Sequence, residues 1–125
     1  MATVLALTVL TVPASATAQR PTSCPTYEKL ALAVGWPRKE LPRLTYVMAR
    51  ESSCFPRAWN RADPFDGSYC LAQLNGSWRG SFKRAGLIRN SMTELFNPTK
   101  CLTAAYWIFE RSGWQPWGFH KKGNK

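Results

Sequence analysis

Between Leu41 and Ser52 the apolar residues Leu41, Leu44, Val47 and Met48 recur at i, i+3, i+6 and i+7, a single stripe at helical spacing. The pattern predicts a helix over 41–52. Glu51 lies four residues after Val47 and three after Met48, on that stripe, whereas Arg43 and Arg50 fall off it. Upstream, Tyr27, Leu30, Ala31 and Val34 make the apolar face of a first helix. It opens at Ser23-Cys24-Pro25, with Ser23 a candidate cap and Pro25 near the first turn, and ends at Gly35. Gly35-Trp36-Pro37 reads as a turn, so the second helix is expected to return antiparallel to the first. Such a hairpin brings Cys24 close to Cys54.

Turn formers dominate residues 55–68, and Asp66-Gly67 suits a hairpin turn between short strands. Residues 69–75 alternate in part, with Leu71 and Leu74 apolar and Gln73 and Asn75 polar, which predicts one short extended segment. A short basic helix is expected over Trp78 to Ala85, ended by Gly86. The last helix begins at Asn97-Pro98, with Asn97 as cap and Pro98 in the first position. Its stripe is Cys101, Leu102, Ala105, Tyr106, Ile108 and Phe109, and Gly113 stops it. The chain then runs through the aromatic segment 114–119 to a basic end. It contains no internal repeat and no low-complexity segment.

The first eighteen residues carry no charge. A short apolar run, Val4 to Val12, precedes Pro13 and the small-x-small pattern Ala16-Thr17-Ala18, which reads as a secretory signal peptide over 1–18. The run falls short of the roughly 20 apolar residues of a membrane span, and no other stretch of the sequence would cross a bilayer. The N-terminus lacks the Lys or Arg that usually opens such a leader. Residues 19–125 then make one domain with a basic tail over 119–125.

Seventeen Lys and Arg against seven Asp and Glu give a net charge of +10. A surface this basic points to a polyanionic partner: nucleic acid, anionic lipid or bacterial wall polymer. The Lys and Arg are scattered and no nucleic-acid recognition motif is present, which argues against nucleic acid. Four cysteines lie beyond the leader, an even count that implies two disulfides in an exported chain. With no CxxC pair and a single His, His120, no zinc site and no other cofactor is expected.

Glu51 is the residue with the most chemistry to offer. An ionised carboxylate on a core-facing stripe is costly, and the C-terminal end of a helix disfavours a negative charge. Both effects favour the protonated form that a general acid needs. A helix-end Glu that bends to solvent or pairs with Arg50 or Arg57 fits the same sequence.

The residues downstream of Glu51 strengthen the case for chemistry. Glu51-Ser52, Pro56-x-Ala58-x-Asn60 and Gly67-Ser68-Tyr69-Cys70-Leu71-Ala72-Gln73-Leu74-Asn75 form an ordered series. It resembles the ES…A-x-N…YG-[LI]-x-Q-[LI]-N series of the lysozyme-like superfamily, with Tyr69 following Glu51 at the spacing seen in animal C-type lysozymes. Leu95-Phe96-Asn97-Pro98, Ala104-Ala105-Tyr106 and Gly113-Trp114-x-Pro116-Trp117 look more like the soluble lytic transglycosylase-type domains of exported actinobacterial or phage proteins. The resemblance runs from Cys24 to Trp117. It implies an α+β, mainly α domain with a small β-element and a cleft that cuts peptidoglycan between its sugars.

By that resemblance Glu51 is the catalytic acid, and Ser52 bonds the acid or the substrate. Gln73 and Asn75 line the cleft, with Tyr69 and Tyr106 as further candidates. Trp59, Trp78, Trp114 and Trp117 are candidates to stack on sugar rings. For Ser52, Gln73, Asn75, Tyr106 and each Trp, an ordinary structural role is the alternative.

Two positions depart from the pattern. Where C-type lysozymes carry an Asp before the Tyr, this chain has Ser68, which cannot serve as the second carboxylate of a retaining glycosidase. Asp66 and Asp63 are the nearest substitutes, and a turn role suits both better. The lytic transglycosylase route needs only one Glu and fits better. The second departure is Cys70, where the family has Gly, which puts the turn geometry in question. Cys101 stands where bacterial relatives often carry Asn. Two unusual positions both filled by Cys suggest a bond between them, so the expected pairs are Cys24–Cys54 and Cys70–Cys101.

These residues lead to an expectation of a secreted, monomeric, peptidoglycan-cleaving glycosidase held to the anionic wall by its charge. A non-catalytic cationic wall-binding or antimicrobial module on the same fold is the competing reading, since a fold does not guarantee chemistry.

Overall fold

A computed structural model describes residues 2–9 and 19–120. The expected leader lies largely outside the described residues. Its described part, 2–9, has no regular structure, with Val4, Leu5, Leu7 and Val9 exposed. Residues 121–125 of the basic end also lie outside them.

The apolar stripe of 41–52 forms helix α2, Leu41–Ser52, and Leu41, Leu44, Val47 and Met48 are all buried. The helix ends without glycine. Ser53 and Cys54 both take left-handed backbone, at φ 52° and 64°, and their N–H groups close on Ala49 O and Met48 O. Cys54 is fixed there by its disulfide to Cys24, with Cα atoms 5.6 Å apart.

Pro25–Tyr27 form a 3-10 turn that leads into helix α1, Glu28–Ala33. Ser23 does not cap it. The cap position is Cys24, whose sulfur is bonded to Cys54, so no side-chain cap forms. Helix α1 packs on both α2 and the last helix.

Trp36 is the centre of the helical core. It is 2% exposed, and its indole N–H donates to Leu102 O at 3.0 Å. Its ring centroid lies 5.1–5.5 Å from those of Phe109, Tyr106 and Trp114. Gly35, at φ 111°, lets the chain pass this cluster, since a Cβ there would sit 3.2 Å from the Tyr106 ring.

The chain then forms a three-stranded antiparallel sheet of two-residue strands: β1 (Trp59–Asn60), β2 (Ser68–Tyr69) and β3 (Leu74–Asn75), in that order. The single extended segment expected over 69–75 is therefore two strands and a turn. Cys70 and Gln73 take positive φ, 71° and 50°, which reverses the chain within four residues. Asp66 and Gly67, both at positive φ, turn the longer connection into β2. The register aligns Asn60, Ser68 and Asn75 in one row and Trp59, Tyr69 and Leu74 in the next. Directly opposed residues share a face, so one row is polar and the other apolar. Gly76 follows β3 because a Cβ there would lie 2.2 Å from Asp66 O.

After a 3-10 turn at Gly76–Trp78, the basic helix α3 spans Arg79–Arg84. A second 3-10 turn, Met92–Phe96, is closed by a capping box between Ser91 and Glu94. Helix α4 spans Pro98–Ser112. Asn97 Oδ1 accepts from Lys100 N at 3.2 Å, and Gly113 ends the helix. Its buried face is Cys101, Leu102, Ala104, Ala105 and Ile108, while Tyr106 and Phe109 are half-buried beside Trp36. Cys101 is bonded to Cys70, with Cα atoms 6.2 Å apart, and so ties the β2–β3 turn to α4. The fold class is α+β, mainly α. Among the described residues no helix is long and apolar enough to cross a membrane.

Candidate functional site

Glu51 stands in the last turn of α2, next to the strained exit at Ser53 and Cys54. The neighbouring Arg50 folds back onto it. Arg50 Nη2 and Nε donate to the same carboxylate oxygen, Oε1, at 2.8 and 3.2 Å. The Glu51 side chain is 30% exposed. The apolar enclosure expected from the stripe is thus replaced by an ion pair open on one side. An α2 residue off the apolar face still reaches Glu51 because a guanidinium is long enough to span adjacent positions.

Arg50 carries the site further. Its Nη2 also donates to Trp117 O at 2.6 Å, and Trp117 Nε1 donates to Ala72 O at 2.9 Å. One C-terminal residue therefore links the end of α2 to the β2–β3 turn. Glu51 and the 69–75 segment are thus linked indirectly, through Arg50 and Trp117. The sequence offered no sign of Trp117's part, because its contacts lie 67 and 45 residues away.

The other candidate residues have defined partners. Ser52 Oγ donates to Met48 O at 2.8 Å, so it is engaged within its own helix and not with the acid. Gln73 Nε2 donates to Ala58 O at 3.1 Å and Cys70 O at 3.0 Å. It pins the turn to the loop before β1 and lies between β2 and β3, not on a strand. Asn75 Oδ1 accepts from Ser77 N and Ser77 Oγ and caps the 3-10 turn. Tyr69 is buried, with its ring stacked 5.4 Å from that of Trp59. Tyr106 packs against Trp36. Of the four tryptophans, Trp114 and Trp117 are buried and Trp78 is packed on Phe82, whereas Trp59 is 40% exposed. Trp59 lines a groove of about 210 Å³ with Arg61 and Asp66, and another of about 730 Å³ with Arg57 and Phe96.

Neither Asp66 nor Asp63 shares a hydrogen bond with Glu51. Asp66 pairs with Arg79 Nη1 at 2.5 Å, tying the β1–β2 connection to α3. Asp63 accepts from Ser68 Oγ and from Phe65 N, and these two donors, Ser68 first, hold its carboxyl below the usual carboxylate range. Ser68 is 6% exposed, so Asp63 places its carboxylate against a buried hydroxyl from five residues downstream.

Among the described residues every non-glycine at positive φ lies between 53 and 73: Ser53, Cys54, Asp66, Cys70 and Gln73. Each costs on the order of 1–3 kcal/mol, and such strain tends to gather at functional sites. Cys70 keeps the left-handed backbone that Gly would adopt freely, so the turn tolerates a side chain at this position. Among the described residues no three His, Cys, Asp or Glu side chains gather as a metal site. No known protein family, curated protein or solved structure matches the chain in comparison.

Proposed function

We propose that the chain is an exported peptidoglycan-cleaving glycosidase of lytic transglycosylase or lysozyme-like type, acting on the MurNAc–GlcNAc bond with Glu51 as general acid and base. The observation that carries this reading is the Glu51–Asn75 series itself. Its acid is tied through Arg50 and Trp117 to the turn that ends at Gln73, amid a cluster of strained backbone. The two disulfides fit an oxidising compartment outside the cytosol.

In this reading protonated Glu51 gives its proton to the glycosidic oxygen as the C1–O bond breaks. The carboxylate then takes the proton of the sugar's C6 hydroxyl as that oxygen bonds to C1, which leaves a 1,6-anhydro end and restores the acid. No second carboxylate takes part. The test is release of soluble fragments from purified walls. General acid–base catalysis contributes about 10²- to 10⁴-fold, so Glu51→Gln is expected to slow release by that factor.

The second reading is a cationic wall-binding module without turnover. It draws on the ion-paired state of Glu51 and on the internal bonds of Ser52 and Gln73. Wall binding that weakens with salt, with no fragments released, would favour it.

A further inference from the structure

The geometry points to Arg50 as the positioning residue of Glu51, locked in turn by the C-terminal segment Trp117–Phe119. This inference rests on Glu51 being the acid. The Arg50 guanidinium is held on several sides: by Glu51 Oε1, by Trp117 O at 2.6 Å, and over the Phe119 and Tyr46 rings at 5.1 and 5.8 Å from their centroids. Arg43, two turns earlier on α2, lies over the same Phe119 ring at 4.7 Å. Two arginines of α2 thus clasp one aromatic residue of the tail segment beside the acid.

The arrangement is asymmetric, and that asymmetry has chemical content. A guanidinium carries donors only. Both donors that Arg50 offers Glu51 fall on Oε1, so that oxygen must remain an acceptor and the acid proton belongs on Oε2. Among the described residues Oε2 accepts no hydrogen bond. Arg50 therefore leaves Oε2 as the oxygen open to carry the proton, and holds a side chain that otherwise has three free torsions. Trp117 sets the height of the clamp against the β2–β3 turn through its indole bond to Ala72 O. The C-terminal segment is thereby part of the site.

The pair itself is partly exposed, at 37% and 30%, so its contribution to stability is small. Its loss should appear in turnover instead. The experiment is steady-state digestion of soluble glycan strands by Arg50→Met, Phe119→Leu, Glu51→Gln and wild type, with thermal melting of each. Misplacement of a catalytic group by about 1 Å can cost about 10²-fold. The expected result for Arg50→Met is a kcat lower by about 10- to 100-fold, a KM within about twofold of wild type, and an unchanged melting midpoint. Phe119→Leu should lower kcat in the same direction by less.

Wild-type kcat in Arg50→Met, with Glu51→Gln inactive, overturns the positioning role and leaves the acid in place. A raised KM with unchanged kcat also overturns it, since Arg50 would then be binding substrate. If Arg50→Met loses its cooperative melt, Phe119→Leu decides: reduced kcat at constant KM supports the clamp, and wild-type kcat removes it. Turnover by Glu51→Gln at the wild-type rate overturns the underlying reading separately.

Discussion

Single residues show both the reach and the limit of the sequence. Glu51 stands out in the sequence because the α2 stripe and the motif after it converge there, and it does lie in the last turn of α2. Its surroundings were not legible, since periodicity assigns Arg50 to another face and says nothing of how far a guanidinium extends. Trp36 is the converse case: a turn residue by its sequence context, it is the most enclosed aromatic among the tryptophans of the core. Replacing it with Phe removes the donor to Leu102 O and leaves a buried carbonyl without that partner. Leu102 lies inside α4, so its carbonyl keeps its place in the helical ladder, and the lost bond costs about 0.5–1.5 kcal/mol, with a further loss from the smaller ring. Urea unfolding of Trp36→Phe should show a decrease at least this large. An unchanged midpoint would mean that water reaches the carbonyl.

Elements were readable where their pattern was long. Helix α2 spans the residues expected, and α4 has its cap, its first-turn Pro and its glycine stop where the sequence put them. The sheet was read poorly because two-residue strands are too short to show alternation, and the turn between β2 and β3 rests on positive φ at Cys70 and Gln73, residue types that do not announce it. The 3-10 turn at 92–96 was missed although Ser91-x-x-Glu94 is a capping-box pattern. Glu94 accepts from the N–H groups of Ser91, Arg89 and Asn90, which lower its pKa from 4.5 to about 2. A depressed carboxyl contributes stability that is present above 4.5 and is lost as pH falls through about 2. Glu94→Gln should therefore be less stable than wild type at neutral pH, with the difference shrinking between pH 4.5 and 2. Denaturation curves across that range check it. A difference independent of pH would place the effect in shape and not in charge.

For the whole molecule, the pairing of the cysteines organises the site. Cys24–Cys54 holds the end of α2 next to Glu51, and Cys70–Cys101 holds the β2–β3 turn on α4. The paired cysteines stand 30 and 31 residues apart, for which loop-closure entropy gives about 3–4 kcal/mol each. Cys70→Ala with Cys101→Ala should lose about 3 kcal/mol, the left-handed strain at position 70 being common to Cys and Ala. Chemical unfolding against wild type measures it, and a loss below about 1 kcal/mol would show that the turn holds without its bond. The first pair followed from the two-helix pattern. The second followed from departures in the resemblance. What the sequence could not give was the third tie, Trp117 between α2 and the turn, because it joins three distant segments through one backbone carbonyl and one indole.

The most direct measurement of the central claim is mass spectrometry of peptidoglycan digested by the protein beside Glu51→Gln. The wild type should give 1,6-anhydro products and the variant none. Reducing-end products that depend on Glu51 would keep the acid but contradict the single-carboxylate route, and would direct attention to Asp63 behind Ser68. Intact strands after incubation with either protein, with the wall still bound, would contradict the enzymatic account altogether.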